Sequence, residues 1–239
     1  MIDCFVEKIL DKCKLDLDSQ EIYTSEDDFK FSFALAAKEC SAKKIILEFP
    51  IKTKDLYSKN NTVLNDLRER KKCKSFEESK SFIDLSFEYK DVQYFFEFKY
   101  KVASLNIKRH GKNFTLANQS AGNIGLYFFH EDIERMESIK DFYSRARTFC
   151  ILLTNNPFYW DDHKEDSMAY KVSLKDTTKV TNELNGFKIG DRCYRDLQCY
   201  NRYATWNENG ILFKKIKNQP KGTFKALIIE AVNQNDQNK

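Results

Sequence analysis

Apolar and polar positions alternate most strictly in two neighbouring segments of this chain. In SFIDLSFEY, Ile83, Leu85, Phe87 and Tyr89 fall on one face, while Phe82, Asp84, Ser86 and Glu88 fall on the other. That two-residue period is the signature of a β-strand. VQYFFEFKYKV repeats it, with Phe96, Phe98 and Tyr100 opposing Phe95, Glu97, Lys99 and Lys101. Between the two runs Lys90-Asp91 leaves room for a tight turn, so an antiparallel hairpin is predicted.

Helical spacing appears on either side of this hairpin. Phe5, Ile9, Leu10 and Cys13 recur as the buried face of a short amphipathic helix within residues 1–17. Ser25 is followed three residues later by Asp28, a capping-box-like start for a helix through FKFSFALAAKEC. KKIILEFPI, closed by Pro50, reads as a strand. A small helix is expected around Val63–Arg70, and residues 103–125, rich in Lys, Asn and Gly, are expected to form a loop. Residues 131–147 predict a helix with Met136, Ile139, Tyr143 and Ala146 on one face. Glu131, Asp132 and Glu134 would then lie near its positive N-terminal end. TFCILLTNN is a continuous apolar run, as expected of a strand buried on both faces. From about residue 166 the chain reads as β-rich and closes on FKALIIEAV.

Composition narrows the class. The 239 residues carry 40 Lys and Arg against 36 Asp and Glu, a formal net charge of +4, which excludes a highly basic DNA-coating protein and an acidic tail. With 41% hydrophobic and 14% aromatic residues, the chain can bury enough apolar surface to offset ordering entropy. No apolar run approaches the ~20 residues of a membrane span, and the N-terminal residues lack a signal-peptide core. Seven cysteines, without a Cys-x-x-Cys pair, and three scattered histidines make a structural zinc site a poor fit. A soluble, cytoplasmic, single-domain protein is expected.

The candidate chemistry lies on the hairpin. A turn centred on Lys90-Asp91 places Asp84 opposite Glu97, with Cβ atoms ~5 Å apart, and Lys99 further along the same face. Directly opposed like charges are destabilising, and a divalent cation removes the conflict. Mg²⁺ is commonly held by one or two carboxylates together with phosphate oxygens. A neighbouring Lys can orient or deprotonate an attacking water. The bland alternative is a half-exposed sheet face with a Glu–Lys pair worth under about 1 kcal/mol. Phe82 and Phe95, on the same face, argue for burial instead.

Asp84 followed by Glu97-x-Lys99 resembles the motif of the PD-(D/E)XK nuclease superfamily, although Ile83 stands where that family often has Pro. FIDLSF, FEFKYK, HEDIERME and ILLTNNPFYW, in that order, resemble bacterial proteins placed in that superfamily; the likeness spans about residues 44–160. It implies an α/β fold with a mixed sheet. The expected domain, spanning 1–239, has a restriction-endonuclease-like αβββαβ core at about 26–160, with N-terminal helices before it and a β-rich extension over 161–239. The resemblance also implies an endonuclease cleaving double-stranded DNA with Mg²⁺, for which Mn²⁺ would substitute. Asp84, Glu97 and Lys99 would be catalytic, Asp84 and Glu97 would be metal ligands, and Gln119 would be a supporting residue. A further acidic ligand comes from Glu48 or Glu39, with Glu48 favoured. A homodimer, a role in restriction or phage defence and a partner protein in such a system are natural extensions. An inactive binding module and an RNA-cleaving toxin are the alternatives.

Other features read more plainly. Asp161-Asp162-His163 is expected to be a turn, and Tyr159 and Trp160 edge-of-core aromatics. The basic stretches Arg68–Lys74 and Lys108–Lys112, with Arg109 and His110, and the lysines 214, 215, 217 and 221 are expected on solvated faces or along a phosphate backbone. No nucleotide-binding glycine loop and no nucleophile elbow is present.

Overall fold

The computed structural model describes residues 3–14, 21–58, 63–65, 79–119, 122–174, 183–184, 187–189, 192–198, 206 and 210–232. After helix α1 (Cys4–Cys13) and helix α2 (Glu26–Glu39) come strand β1 (Lys43–Lys52) and the one-turn helix α3 (Thr53–Leu56). The hairpin strands β2 (Lys80–Tyr89) and β3 (Val92–Lys101) follow. A smaller hairpin, β4 (Leu105–Arg109) and β5 (Lys112–Leu116), precedes the long helix α4 (Gly122–Phe142) and strand β6 (Arg147–Thr154). The C-terminal strands are β7 (Gly210–Lys215) and β8 (Thr223–Glu230), preceded by short two-residue ribbons.

One mixed six-stranded sheet organises the chain, in the spatial order β1, β2, β3, β6, β8, β7. β3 and β6 run parallel, and the other neighbours are antiparallel. The expected sequence of helix, three strands, helix and strand is therefore present, with the β4–β5 hairpin inserted where a loop was expected. The expected core boundary near residue 160 does not divide the sheet, because β8 pairs along β6 in its interior.

Alternate residues of β6 enter two different cores, as a strand buried on both faces must. Phe149, Ile151 and Leu153 pack beneath α1 and α2 with Phe29, Phe33, Phe96 and Phe98. Cys150 and Leu152 pack beneath α4 with Ile133, Met136 and Phe95. The predicted face of α1 holds: Phe5, Ile9, Leu10 and Cys13 are all buried. On β2, Leu85 and Phe87 join the α2 core, whereas Ile83, expected beside them, packs into the α4 core. Phe82 is 50% exposed, so of the two aromatics read as burying that face only Phe95 does so.

The long helix before β6 starts earlier than its periodicity indicated. α4 begins at Gly122 rather than 131 and ends before Tyr143. Gly122 and Gly125, which read as loop residues, lie against the 3-10 turn Pro157–Tyr159. A Cβ on Gly122 would overlap the Phe158 ring, and one on Gly125 would overlap the Tyr159 hydroxyl. Glycine there serves close packing rather than chain reversal. The earlier start also moves Glu131, Asp132 and Glu134 away from the helix N-terminus, so the dipole does not account for them; they make specific ion pairs instead.

Other expectations resolve simply. Ser25 caps α2 by accepting the Asp28 N–H. Residues 63–65 are helical, while the rest of Val63–Arg70 and all of Arg68–Lys74 lie outside the described residues, as do Cys73 and Cys199. Cys4, Cys13, Cys40, Cys150 and Cys193 are free thiols. Residues 161–163, expected as a turn, form an irregular, exposed or half-exposed segment that opens on a bend at Asp161. Tyr159 is buried, and Trp160 packs edge-on against Trp206 at the rim of the core. Lys214 is not on a solvated face: it is 1% exposed, and its ammonium donates to the Glu21 carbonyl. Among the described residues no helix is long and apolar enough to cross a membrane.

His130 on α4 gives the fold a titratable weak point. It is buried, with Nε2 3.1 Å from the Val172 carbonyl oxygen, and burial depresses its pKa from 6.5 to about 4. Between those values the unfolded chain binds a proton that the folded chain refuses. The associated stability is therefore complete above about pH 6.5 and is lost as pH falls toward 4, by up to about 3 kcal/mol. Urea titrations at pH 7.5 and 4.5 should show the wild type losing more stability than His130→Gln; parallel losses would contradict this assignment.

Candidate metal centre

The site forms where β2 and β3 part. Their registered pairing runs from Tyr89 opposite Val92 to Leu85 opposite Phe96 and goes no further, while β2 continues alongside β1 to Lys80. β3 continues alongside β6 to Lys101. The β2-facing amides at the end of β3 therefore need other acceptors. The Asp84 carboxylate accepts the Phe98 N–H at 2.8 Å, and Glu26, in the first turn of α2, accepts the Tyr100 N–H at 2.9 Å. Two acidic side chains are thus fixed in the notch by backbone demand.

Extending the registers on both sides puts Asp84 between Glu48 of β1 and Glu97 of β3, since Leu47 faces Leu85, Phe49 faces Ile83, and Phe96 faces Leu85. The predicted Asp84–Glu97 neighbourhood follows from that register, and each carboxyl shifts the other's pKa. Glu97 is almost fully buried, with its Oε2 2.7 Å from Arg135 Nη2. Its other oxygen, Oε1, is buried with no hydrogen-bond partner. Burial pushes the Glu97 carboxyl well above its usual range, and the charges of Asp132 and Asp84 push the same way against Arg135. Asp84 moves oppositely. Burial disfavours its charge, but the Lys30 ammonium and the Phe98 N–H hold its pKa below normal.

Cations interleave with these acids. Lys30 of α2 lies 2.8 Å from Asp84 Oδ1 and 2.6 Å from Glu48 Oε1. Lys99 lies 2.8 Å from Asp132 Oδ2 on α4, and Asp132 Oδ1 accepts from Arg135 Nη2 at 2.7 Å. Glu97, Arg135, Asp132 and Lys99 therefore form a chain of alternating charge, joining residues two apart on β3 to residues three apart on α4, the spacings that share one strand face and one helix face. Burial works against the charge on Lys99, but Asp132 and Glu26 overcome it and hold its pKa above the ordinary lysine value. Lys99 is thus a fixed cation here, which disfavours its sequence-based role as a proton acceptor. Burial also raises the pKa of Glu26, against the opposing pull of Lys99 and the Tyr100 N–H.

The sequence-based candidates divide accordingly. Asp84, Glu97 and Lys99 come together as expected. Glu48 reaches Asp84 through Lys30, and its carboxylate remains 55% exposed. Its backbone has φ 53°, an uncommon left-handed conformation for a residue with a Cβ. Glu39 lies elsewhere, paired with Lys12 at 3.0 Å on the surface. Gln119 is exposed and tied to the segment after β3 through its backbone N–H, which donates to Val102 O at 3.0 Å. Arg109 of the basic stretch 108–112 is internal: it pairs with Asp28 at 2.9 Å and covers the Tyr23 ring, fixing the start of α2. Lys108, His110 and Lys112 are exposed.

Glu26, Lys30, Asp132 and Arg135 were not legible as site residues. Glu26 reads as part of a helix start. Lys30 follows Phe29 and carries no period of its own. Asp132 and Arg135 do leave a trace, being interleaved with the apolar Ile133 and Met136, so this helix stretch has no purely solvent-facing arc.

Four inner carboxylates (Glu26, Asp84, Glu97 and Asp132) face three cations (Lys30, Lys99 and Arg135), with Glu48 at the rim. Neighbouring carboxyls, one with an unpartnered buried oxygen, suit a hard divalent cation as oxygen donors. Among the described residues, no group of three or more His, Cys, Asp or Glu is already arranged around an ion position. No family model, curated protein or solved structure matches the chain.

Removing the Arg135 guanidinium should leave Glu97 buried without its counter-charge. Arg135→Ala is expected to lose about 3–5 kcal/mol in chemical denaturation at neutral pH, with Arg135→Lys losing clearly less. A loss below about 1 kcal/mol for the alanine variant would mean that Glu97 is held as the neutral acid and needs no counter-charge.

Proposed function

We propose that this protein is a divalent-metal-dependent nuclease of the PD-(D/E)XK type, hydrolysing phosphodiester bonds in double-stranded DNA. The observation that carries the reading is the buried, unpartnered Glu97 oxygen next to Asp84 in the sheet register, with Lys99 on the same strand. The helix, three-strand, helix, strand order within a mixed six-stranded sheet supports this reading.

Asp84 and Glu97 would hold the ion, Mg²⁺ or Mn²⁺. The chemistry such an ion supplies is polarisation of the scissile phosphate and activation of water. The chain's own groups do the positioning. Lys99, kept charged by Asp132 and Glu26, stabilises negative charge developing on the phosphate from a fixed location. Arg135 holds Glu97 from behind, and the Phe98 N–H holds Asp84. A homodimer would supply a second centre for the second strand, and restriction or phage defence, with or without a partner protein, is the setting such an activity suits.

A second reading is a binding module that keeps the fold without turnover. It is favoured by one observation, that Lys30 and Arg135 already pair with Asp84 and Glu97. Incubation with plasmid DNA separates the two. The nuclease should nick or linearise the plasmid in Mg²⁺ and Mn²⁺, stop in EDTA, and lose about 10²–10³-fold in rate in Glu97→Gln and Lys99→Ala. Cleavage indifferent to EDTA and to both substitutions would end the metal-nuclease reading. DNA retention without cleavage or metal binding would establish the module. A parallel RNA substrate, cut while DNA is spared, would redirect the activity to RNA.

A further inference from the structure

The metal-centre reading leaves Lys30 unexplained. Its ammonium lies 2.8 Å from Asp84 Oδ1, 2.6 Å from Glu48 Oε1 and 3.5 Å from Asp27 Oδ1. The side chain is 9% exposed, although Asp27 and Phe31 on the same helix are exposed. A buried lysine on an amphipathic helix costs desolvation and side-chain entropy. Here it is spent on bridging two carboxylates from adjacent strands. Glu48 meets it from a backbone at φ 53°, a conformation that costs energy for a residue with a Cβ.

Asp84 thus has two sides. Oδ2 accepts the Phe98 N–H on the β3 side, where Glu97 is the register neighbour; Oδ1 faces Lys30 and, through it, Glu48. In two-metal phosphodiesterases a shared carboxylate is flanked by ions ~3.5–4 Å apart, which stabilise the attacking and leaving oxygens respectively. In this chain one flank of the shared carboxylate is already taken by a covalently attached cation. An ammonium supplies charge and hydrogen bonds in place of a bridging ion, but it offers no coordination site for water.

We infer that Lys30 substitutes for a second metal ion, so that the centre holds one divalent cation, on the Glu97 side of Asp84, and the Asp84–Glu48 pair is closed to metal. The inference rests on the metal-centre reading above. It assigns Glu48 a role as the anchor of Lys30, in place of the ligand role its sequence position suggested.

Titration of the metal-free protein with Mn²⁺, followed by calorimetry and by the Mn²⁺ electron paramagnetic resonance signal, tests it without reference to activity. The wild type should bind one ion per chain, and Lys30→Arg should do the same. Lys30→Met should bind two, because it frees Asp84 Oδ1 and Glu48 together, and adding Glu48→Gln should return the count to one. Circular dichroism checks that each variant is folded, and Lys30→Gln, which keeps a polar group, replaces Lys30→Met if the latter is not. Two ions in the wild type, or one ion in a folded Lys30→Met or Lys30→Gln, would overturn the substitution of ammonium for metal while leaving the centre itself intact. No ion bound to the wild type would remove the metal centre and this inference together.

Discussion

The parting of β2 from β3 beyond Leu85 and Phe96 is the constraint on which the candidate site depends. A sheet that opens leaves backbone donors that water or side chains must satisfy, and an unmet buried donor costs about 1–3 kcal/mol. At this opening the Phe98 and Tyr100 amides are met by carboxylates, from Asp84 and Glu26. The same hydrogen bonds that close the sheet's accounting therefore concentrate negative charge at one point. β6 stays paired to the far side of β3 through the opening.

Concentrated charge has to be balanced, and the helices supply the balance. α2 brings Lys30 over one flank and α4 brings Arg135 and Asp132 over the other. A surface ion pair contributes about 0–1 kcal/mol, and these pairs would matter little if they were exposed. They are largely buried, so their chief effect is on which charges are tolerated and where. Asp84 is kept ionised, Glu97 is pushed toward neutrality and Lys99 is held as a cation. Such divergence of neighbouring carboxyls is the condition under which one acid becomes receptive to a cation or a proton.

The helices can act this way because they are pinned from outside the site. Arg109 on β4 ties down the start of α2 through Asp28, and Tyr100 donates its hydroxyl to the Tyr23 carbonyl at 2.6 Å. α4 is held close to the turn after β6 by its glycines, and Arg195 pairs with Glu131 and Glu134 along its length. The β4–β5 hairpin and the C-terminal segment, neither of which carries a proposed catalytic group, thereby fix the positions of those that do.

Period alone determined much of this protein. Alternation in SFIDLSFEY and VQYFFEFKYKV was sufficient to pair the strands in the observed register, and that register brings Asp84 to Glu97, because a strand has a two-residue repeat and a tight turn permits little slippage. The apolar run of β6 announced burial on both faces, and the Phe5, Ile9, Leu10, Cys13 spacing gave the inner face of α1. Tertiary structure decided what period cannot encode. Gly122 and Gly125 lie in a helix, where aromatic rings from a later turn occupy the space a side chain would need. Ile83 left its expected face where the strands part, and residues 223–230 entered the sheet beside β6 rather than extending beyond it. The same holds for Glu26, Lys30, Asp132 and Arg135. A charged residue on a helix has no periodic mark of its function, since its partner lies on another element, and its burial and pKa are set only when the two are brought together.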